Sequence, residues 1–161
     1  MDLIDKISSI SIRGRLAFGI TCLEKVCFEW NVRNTKTDEL ISNFWLFMEF
    51  LGYDDHDQKV YDLLPDDDRP WVNASQLSYT YLSEEQQRDL TELIDEVLLI
   101  GMRNMAGGFS NDVTLIPTLE VVRILEKNNI KLPDLTPFLK SKVTENEGWG
   151  YQVGRDYWLS N

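Results

Sequence analysis

The stretch of sequence that decides the fold is residues 12–30, which read IRGRLAFGITCLEKVCFEW. Apolar side chains recur there at intervals of three or four residues, at Ile12, Leu16, Ile20, Leu23, Cys27 and Trp30. Because an α-helix turns once in about 3.6 residues, these positions form one stripe along a helix. The charged residues lie largely off that stripe, at Arg13, Arg15, Glu24, Lys25 and Glu29. The stretch therefore predicts an amphipathic helix from Ile12 to Trp30.

Two further long helices are predicted on either side of the middle of the chain. Residues 37–51 carry two neighbouring apolar stripes, and such a wide apolar face is typical of a central, heavily packed helix. The other helix begins after Ser83, which forms a capping box with Gln86, and ends at Gly107-Gly108. The residues between these two helices include a predicted short helix from about Asp55 to Leu64, and a short helix or irregular crossing over residues 69–82.

The C-terminal third of the chain predicts two more helices. The first contains Leu115 and ends near Asn128-Asn129, and Pro117 is tolerable only in its first turn because proline lacks the backbone N–H. The second begins at Thr136-Pro137, an N-cap followed by proline, and runs to about Glu145. No convincing pair of strands appears. We therefore predict an all-α fold, with residues 1–161 forming one domain of about five to seven helices.

The last residues, 148–161, are rich in glycine and aromatic side chains, which predicts an irregular tail. Its rings can fold back over the helical core, which is the arrangement we favour because aromatic side chains are usually buried. Alternatively, an exposed tail would offer tyrosine, tryptophan and arginine to a partner, and these residue types are enriched in binding hot spots.

Composition and charge limit the class of protein. The chain of 161 residues has 43% hydrophobic residues and a formal net charge of −11, as expected for a folded acidic domain. No apolar run is long enough to cross a bilayer, and the acidic N-terminus is unlike a secretory signal, so we expect a cytoplasmic protein. Its two cysteines, Cys22 and Cys27, are expected to be reduced and buried. Net negative charge also disfavours binding to nucleic acid.

The acid-rich segment, residues 54–68, is the main functional clue. It holds seven aspartates against one lysine, Lys59, and the aspartates are Asp54, Asp55, Asp57, Asp62, Asp66, Asp67 and Asp68. A carboxylate cluster on a folded surface attracts cations and basic proteins. The segment does not match a calcium loop, because Lys59 and Val60 stand where an EF-hand needs a ligand and a glycine.

Enzymatic alternatives receive little support from the sequence. A divalent-cation site built from Asp54, Asp55, His56 and Asp57 is conceivable, but adjacent carboxylates usually form a solvated charged face. His56 is the single histidine, which excludes a multi-histidine zinc site. Motifs of phosphate loops, dinucleotide-binding loops and serine hydrolases are absent. We therefore predict no cofactor, no metal and no catalytic residue.

Two stretches resemble a known family. SIRGRLAFGITCLE at residues 11–24 is similar to the first helix of small all-helical bacterial immunity proteins of polymorphic-toxin and contact-dependent-inhibition systems, and ILEKNNIKLP at residues 124–133 is similar to a later helix and its exit turn. The resemblance implies a cytoplasmic protein that neutralises a cognate toxin by binding it, without catalysis.

Together these observations predict a surface that binds a basic protein, for example a toxin of the nuclease type. Carboxylates would pair with lysine or arginine, and an aromatic side chain would anchor in a pocket. The predicted partner-binding residues are Asp54, Asp55, Asp57, Tyr61, Asp62, Asp66, Asp67, Asp68, Trp71, Trp149, Tyr151, Tyr157 and Trp158. Two alternatives remain open, a helical scaffold or regulatory domain with another protein partner, and a metal-dependent enzyme that uses the aspartates.

Overall fold

The computed structural model describes residues 1–51, 58–60, 62, 77, 79–102 and 111–159. The helices are α1 (Leu3–Ser9), α2 (Ile12–Glu29), α3 (Thr35–Glu49), α4 (Glu84–Met102), α5 (Asn111–Lys127) and α6 (Arg155–Leu159), with a short 3-10 helix at Asn146–Gly148. In these ranges the extended pairing is limited to one isolated antiparallel bridge between Ile10 and Lys142. The predicted all-α, single-domain fold is confirmed.

Helix α2 lies at the centre of the bundle. It packs against α3, α4 and α5, and every residue from 11 to 20 is buried. Small residues allow the close approach, since a Cβ atom at Gly19 would lie 2.9 Å from Ile100 Cδ1 of α4. Helix α3 buries both apolar stripes that the sequence predicts, including Phe44, Trp45 and Phe47, while Lys36, Glu39 and Leu46 are exposed to solvent.

Two arginines of α2 are buried despite their positions off the apolar stripe. Arg15 donates Nε to the carbonyl oxygen of Ile7 at 3.2 Å, Nη2 to that of Ser8 at 2.8 Å, and Nη1 to Thr114 Oγ1 at 2.7 Å. Ile7 and Ser8 lie in the last turn of α1, where carbonyl groups lack the usual helical donor four residues later, although that of Ile7 also accepts the N–H of Ile10 at 3.1 Å. The guanidinium therefore joins the end of α1 to α5, as Arg13 joins α2 to the C-terminal segment.

The helix starts follow the capping chemistry of the sequence. Ser83 Oγ accepts the backbone N–H of Gln86 at 3.1 Å, and Gln86 Oε1 accepts that of Ser83 at 3.1 Å, so the predicted capping box is confirmed. The predicted end at Gly107-Gly108 lies outside the described residues. Helix α1 was not predicted because it is only 7 residues long, although Asp2 caps it by accepting the N–H of Asp5.

Helix α5 begins earlier than predicted and contains Pro117 in its interior. The prediction that Pro117 must lie in the first turn is wrong. Proline inside a helix removes one hydrogen bond and costs about 3 kcal/mol, yet α5 packs against α1, α2 and α4. Next to the proline, Thr118 Oγ1 donates to the carbonyl oxygen of Thr114 at 2.7 Å. Tertiary packing therefore outweighs the local cost.

The helix predicted from Thr136 to Glu145 does not form, and residues 135–145 make successive turns. Asp134 Oδ1 accepts both the N–H and the hydroxyl of Thr136, which stabilises a turn. Beyond it, the N–H of Val143 donates to the carbonyl oxygen of Ser9 at 2.9 Å. The prediction is wrong because this segment pairs its backbone with the chain before α2 instead of with itself.

The C-terminal segment then crosses the start of α2. The N–H of Ser11 donates to the carbonyl oxygen of Ser141 at 3.0 Å, and Arg13 Nη1 donates to that of Gly150 at 3.0 Å. Gly150 has a φ of +73°, and a Cβ atom there would lie 2.5 Å from Ser11 Oγ. The tail is less irregular than predicted, since it includes the 3-10 helix and α6. Its docking on the helical core is confirmed for Trp158, which is buried.

Candidate interaction surface

The described part of the acid-rich segment lies against α3. Val60 is buried in the core, which attaches the segment to the bundle. Residues 58–60 are helical, and the N–H of Asp62 donates to the carbonyl oxygen of Gln58 at 2.9 Å, in agreement with the predicted short helix. Asn43 Nδ2 of α3 donates to the carbonyl oxygen of Lys59 at 3.5 Å. One apolar anchor and one polar contact thus leave Asp62 exposed on the surface.

Asp62 shares a shallow polar pocket with side chains of α3. The pocket has a volume of about 330 Å³ and is lined by Glu39, Asn43, Lys59 and Asp62. Two carboxylates, an amide and an ammonium group therefore meet at this point. Sequence reasoning missed Glu39, although its place on the side of α3 away from the apolar stripes is the signal that could have found it.

The aromatic residues predicted for partner binding differ in exposure. Trp158 is fully buried and stacks on Phe138 with ring centroids 6.1 Å apart, so its ring is not available to a partner in this conformation. Trp149 is partly buried against the core. Tyr151 is 62% exposed, and Tyr157 is 38% exposed with Lys140 Nζ 4.2 Å from its ring centroid. The tail therefore divides into an anchor, Trp158, and two exposed tyrosines.

The start of α6 is fixed to α2 and α3 by one arginine. Arg155 Nη2 lies 3.0 Å from Glu24 Oε1, and its guanidinium carbon lies 5.5 Å from the centroid of the Trp45 ring. Asn43 and Trp45 are two positions apart on α3, which places them about 200° apart around its axis. Asp62 and α6 therefore contact opposite sides of α3, and the structure does not bring them together in one patch.

The other predicted contact residues lie outside the described residues, and they are Asp54, Asp55, Asp57, Tyr61, Asp66, Asp67, Asp68 and Trp71. Most of the predicted crossing at residues 69–82 lies there too. Among the residues that are described, no group of three or more histidine, cysteine or acidic side chains could hold a metal ion. No described helix is long and apolar enough to cross a membrane.

A buried carboxylate, Asp89 of α4, belongs to the scaffold. Its Oδ1 accepts Lys127 Nζ at 2.8 Å and its Oδ2 accepts Asn128 Nδ2 at 2.8 Å. Because both oxygens are bonded to residues at the end of α5, the charge is compensated where it is buried. Asp89 thus ties α4 to α5 and has no geometry that suggests a role in binding.

The two cysteines are free thiols in the core, as predicted. Burial raises the pKa of Cys27 from its usual 9.0 to about 12, and burial raises the pKa of Cys22 further still. Since the thiolate is the nucleophile, both groups are chemically silent near neutral pH.

We therefore expect neither thiol to react with an aromatic disulfide reagent in the native protein. In denaturant, both should react at the rate of a model thiol, and the native rate should follow the fraction of unfolded chain. The measurement is the absorbance of the released thiolate over time. Rapid labelling of one thiol without denaturant would show that its site opens locally.

Comparison of the chain with protein-family models, with curated protein sequences and with solved structures gives no match to any of them.

Proposed function

We propose that this protein is a non-catalytic acidic binding protein of the cytoplasm, which acts as an immunity protein by neutralising a cognate basic toxin through direct contact. The observation that carries the proposal is the arrangement at α3. Val60 attaches the acid-rich segment to the core, while Asp62 faces solvent beside Glu39. A basic protein would meet fixed carboxylates at this place.

The net charge of the acid-rich segment supports the same proposal, because it acts over longer distances than direct contacts. The segment from Asp54 to Asp68 contributes seven aspartates and one lysine to a chain of net charge −11. Such a concentration of like charge accelerates the approach of an oppositely charged protein, and salt screens the effect. Tyr151, with 62% of its surface exposed, offers a separate aromatic contact.

The proposal predicts how a charge-neutral variant behaves. In the variant D62N/D66N/D67N/D68N, association with the partner is expected to be roughly tenfold slower at low salt, because steering by charge is lost. Its association rate should also depend less on ionic strength. The partner is first recovered from lysate of the source cells on the tagged protein, eluted with salt, and its association is then measured by stopped-flow fluorescence.

A matched control separates the surface from the net charge. The variant D5N/E29Q/E126Q/E147Q also removes four acidic side chains, all of them exposed and without an ion pair to any described residue. It should associate at a rate much closer to that of the wild type. Equal slowing by both variants would mean that only overall charge matters, and no slowing by the first would place the interface elsewhere.

A further inference from the structure

Three lysines from separate elements converge on one pocket. Lys6 lies in the last turn of α1, Lys25 in α2, and Lys131 in the turn region after α5. They line a pocket with a volume of about 540 Å³. In a chain of net charge −11, this concentration of positive charge stands apart from the rest of the molecule.

The remainder of the pocket is mostly apolar. Leu3, Leu132, Pro133 and Leu135 line it together with the lysines. Pockets that bind small molecules usually have volumes of roughly 300–1,000 Å³, an apolar lining and a few convergent polar groups. Both the size and the lining of this pocket correspond to that description.

Among the described residues, the ammonium groups of Lys6, Lys25 and Lys131 form no ion pair, unlike those of two other lysines. Lys36 pairs with Glu39, and Lys127 pairs with Glu85 and Asp89.

One carboxylate, Asp134, lines the pocket, and it is already engaged. Its Oδ1 accepts the N–H of Thr136 at 3.0 Å and the hydroxyl of Thr136 at 2.8 Å. These hydrogen bonds, and to a smaller degree Lys6, lower the pKa of Asp134 below its usual value. The carboxylate is thus held by a turn, and three lysines face a single acid.

We propose that this pocket binds a small organic anion, whose phosphate or carboxylate group is held by Lys6, Lys25 and Lys131 and whose apolar part contacts Leu132 and Leu135. An anion would offset the positive charge of the three lysines, and lysine is a common ligand of phosphate. The site goes beyond the proposed function, because it attracts ligands of the opposite charge to a basic protein.

The test is a titration of isotope-labelled protein with naphthyl phosphate, followed by amide chemical shifts. Saturable shifts are expected at residues 3–6, 25 and 131–135. In the variant K6Q/K131Q the dissociation constant should rise at least about tenfold, since a hydrogen bond to a charged group contributes about 1.5 kcal/mol or more. The control K36Q/K142Q, with the same change in charge elsewhere, should bind like the wild type.

Three results would overturn the proposal. They are unchanged affinity in K6Q/K131Q with an unaltered melting curve, equal affinity for uncharged naphthol, and equal affinity for inorganic phosphate alone. A further experiment distinguishes a lipid headgroup from a soluble ligand, since both can carry the same phosphate group. Binding to vesicles that contain a phosphomonoester lipid, with competition by naphthyl phosphate, would assign a lipid headgroup, and binding of the free probe without binding to vesicles would assign a soluble ligand.

Discussion

Replacement of Arg15 by methionine is expected to lower the free energy of unfolding by about 3–5 kcal/mol, measured by urea denaturation. Arg15 is fully buried and bonds to the carbonyl oxygens of Ile7 and Ser8 and to Thr114 Oγ1. Methionine fills much of the volume but leaves Thr114 Oγ1 and the carbonyl oxygen of Ser8 without the guanidinium donor, while that of Ile7 keeps the N–H of Ile10 at 3.1 Å. Removing one partner of a buried polar network is costly because the remaining groups stay buried and unpaired. Replacing all the partners together by apolar residues of similar volume avoids this cost.

The pKa of Arg15 points to the same burial. Loss of solvent lowers it from 12.5 to about 10, and Asp112 opposes the shift by favouring the charged form. Even so, the group stays protonated at neutral pH, so its charge depends on the surrounding acceptors. Arg15→Lys keeps the charge without the planar fork, and its stability should fall between those of the wild type and Arg15→Met.

Arg88→Met is the matched control for Arg15→Met. Arg88 is exposed on α4, and its Nε donates to the carbonyl oxygen of Glu84 at 3.4 Å. Its replacement should change the free energy of unfolding by no more than about 0.5 kcal/mol, as is usual for surface substitutions. A loss below about 1 kcal/mol for Arg15→Met would contradict the assigned role of the guanidinium.

Replacement of Trp158 by alanine is the second large expected loss, about 3–5 kcal/mol, because it deletes the largest fully buried side chain among the described residues. The ring of Trp158 stacks on Phe138. It also lies edge-on to the ring of Tyr157, and the centroids of these two rings are 4.9 Å apart. Without it, α6 loses its apolar anchor, and the tail should become more accessible to proteases. Urea denaturation and limited proteolysis measure the two effects.

Trp158→Phe distinguishes packing from hydrogen bonding. Among the described residues, no acceptor reaches the buried Nε1 of Trp158. Phenylalanine retains a ring against Phe138 and removes an N–H whose burial without a partner costs about 1–3 kcal/mol. We therefore expect Trp158→Phe to lose much less stability than Trp158→Ala. An equal loss in both variants would show that Nε1 makes a hydrogen bond that the fold requires.

The helices that could be predicted from the sequence are those whose apolar periodicity and caps agree. The stripe from Ile12 to Trp30 and the capping box of Ser83 and Gln86 both correspond to real helices. Local signals failed where contacts distant in sequence decide the structure. Thr136-Pro137 has the pattern of a helix start, but the segment after it pairs with the chain near Ser9 and Ser11.

The candidate surface shows the same limit of sequence reasoning. Clustering of aspartates is visible in the sequence, and the exposure of Asp62 agrees with it. The neighbours of Glu39 depend on how residues 58–62 lie against α3, and the three-lysine pocket depends on how α1, α2 and residues 131–135 pack, so neither could be deduced from spacing along the chain. Burial of Trp158 likewise depends on the turn that brings Phe138 beneath it.

The measurement that tests the central claim most directly is a titration of the recovered partner's activity with this protein. A binding inhibitor without turnover should abolish that activity at a fixed stoichiometric ratio, and D62N/D66N/D67N/D68N should shift the titration to higher concentration more than D5N/E29Q/E126Q/E147Q does. Complete loss of the partner's activity at a small fraction of that ratio would show turnover and contradict the account, as would full activity at every ratio.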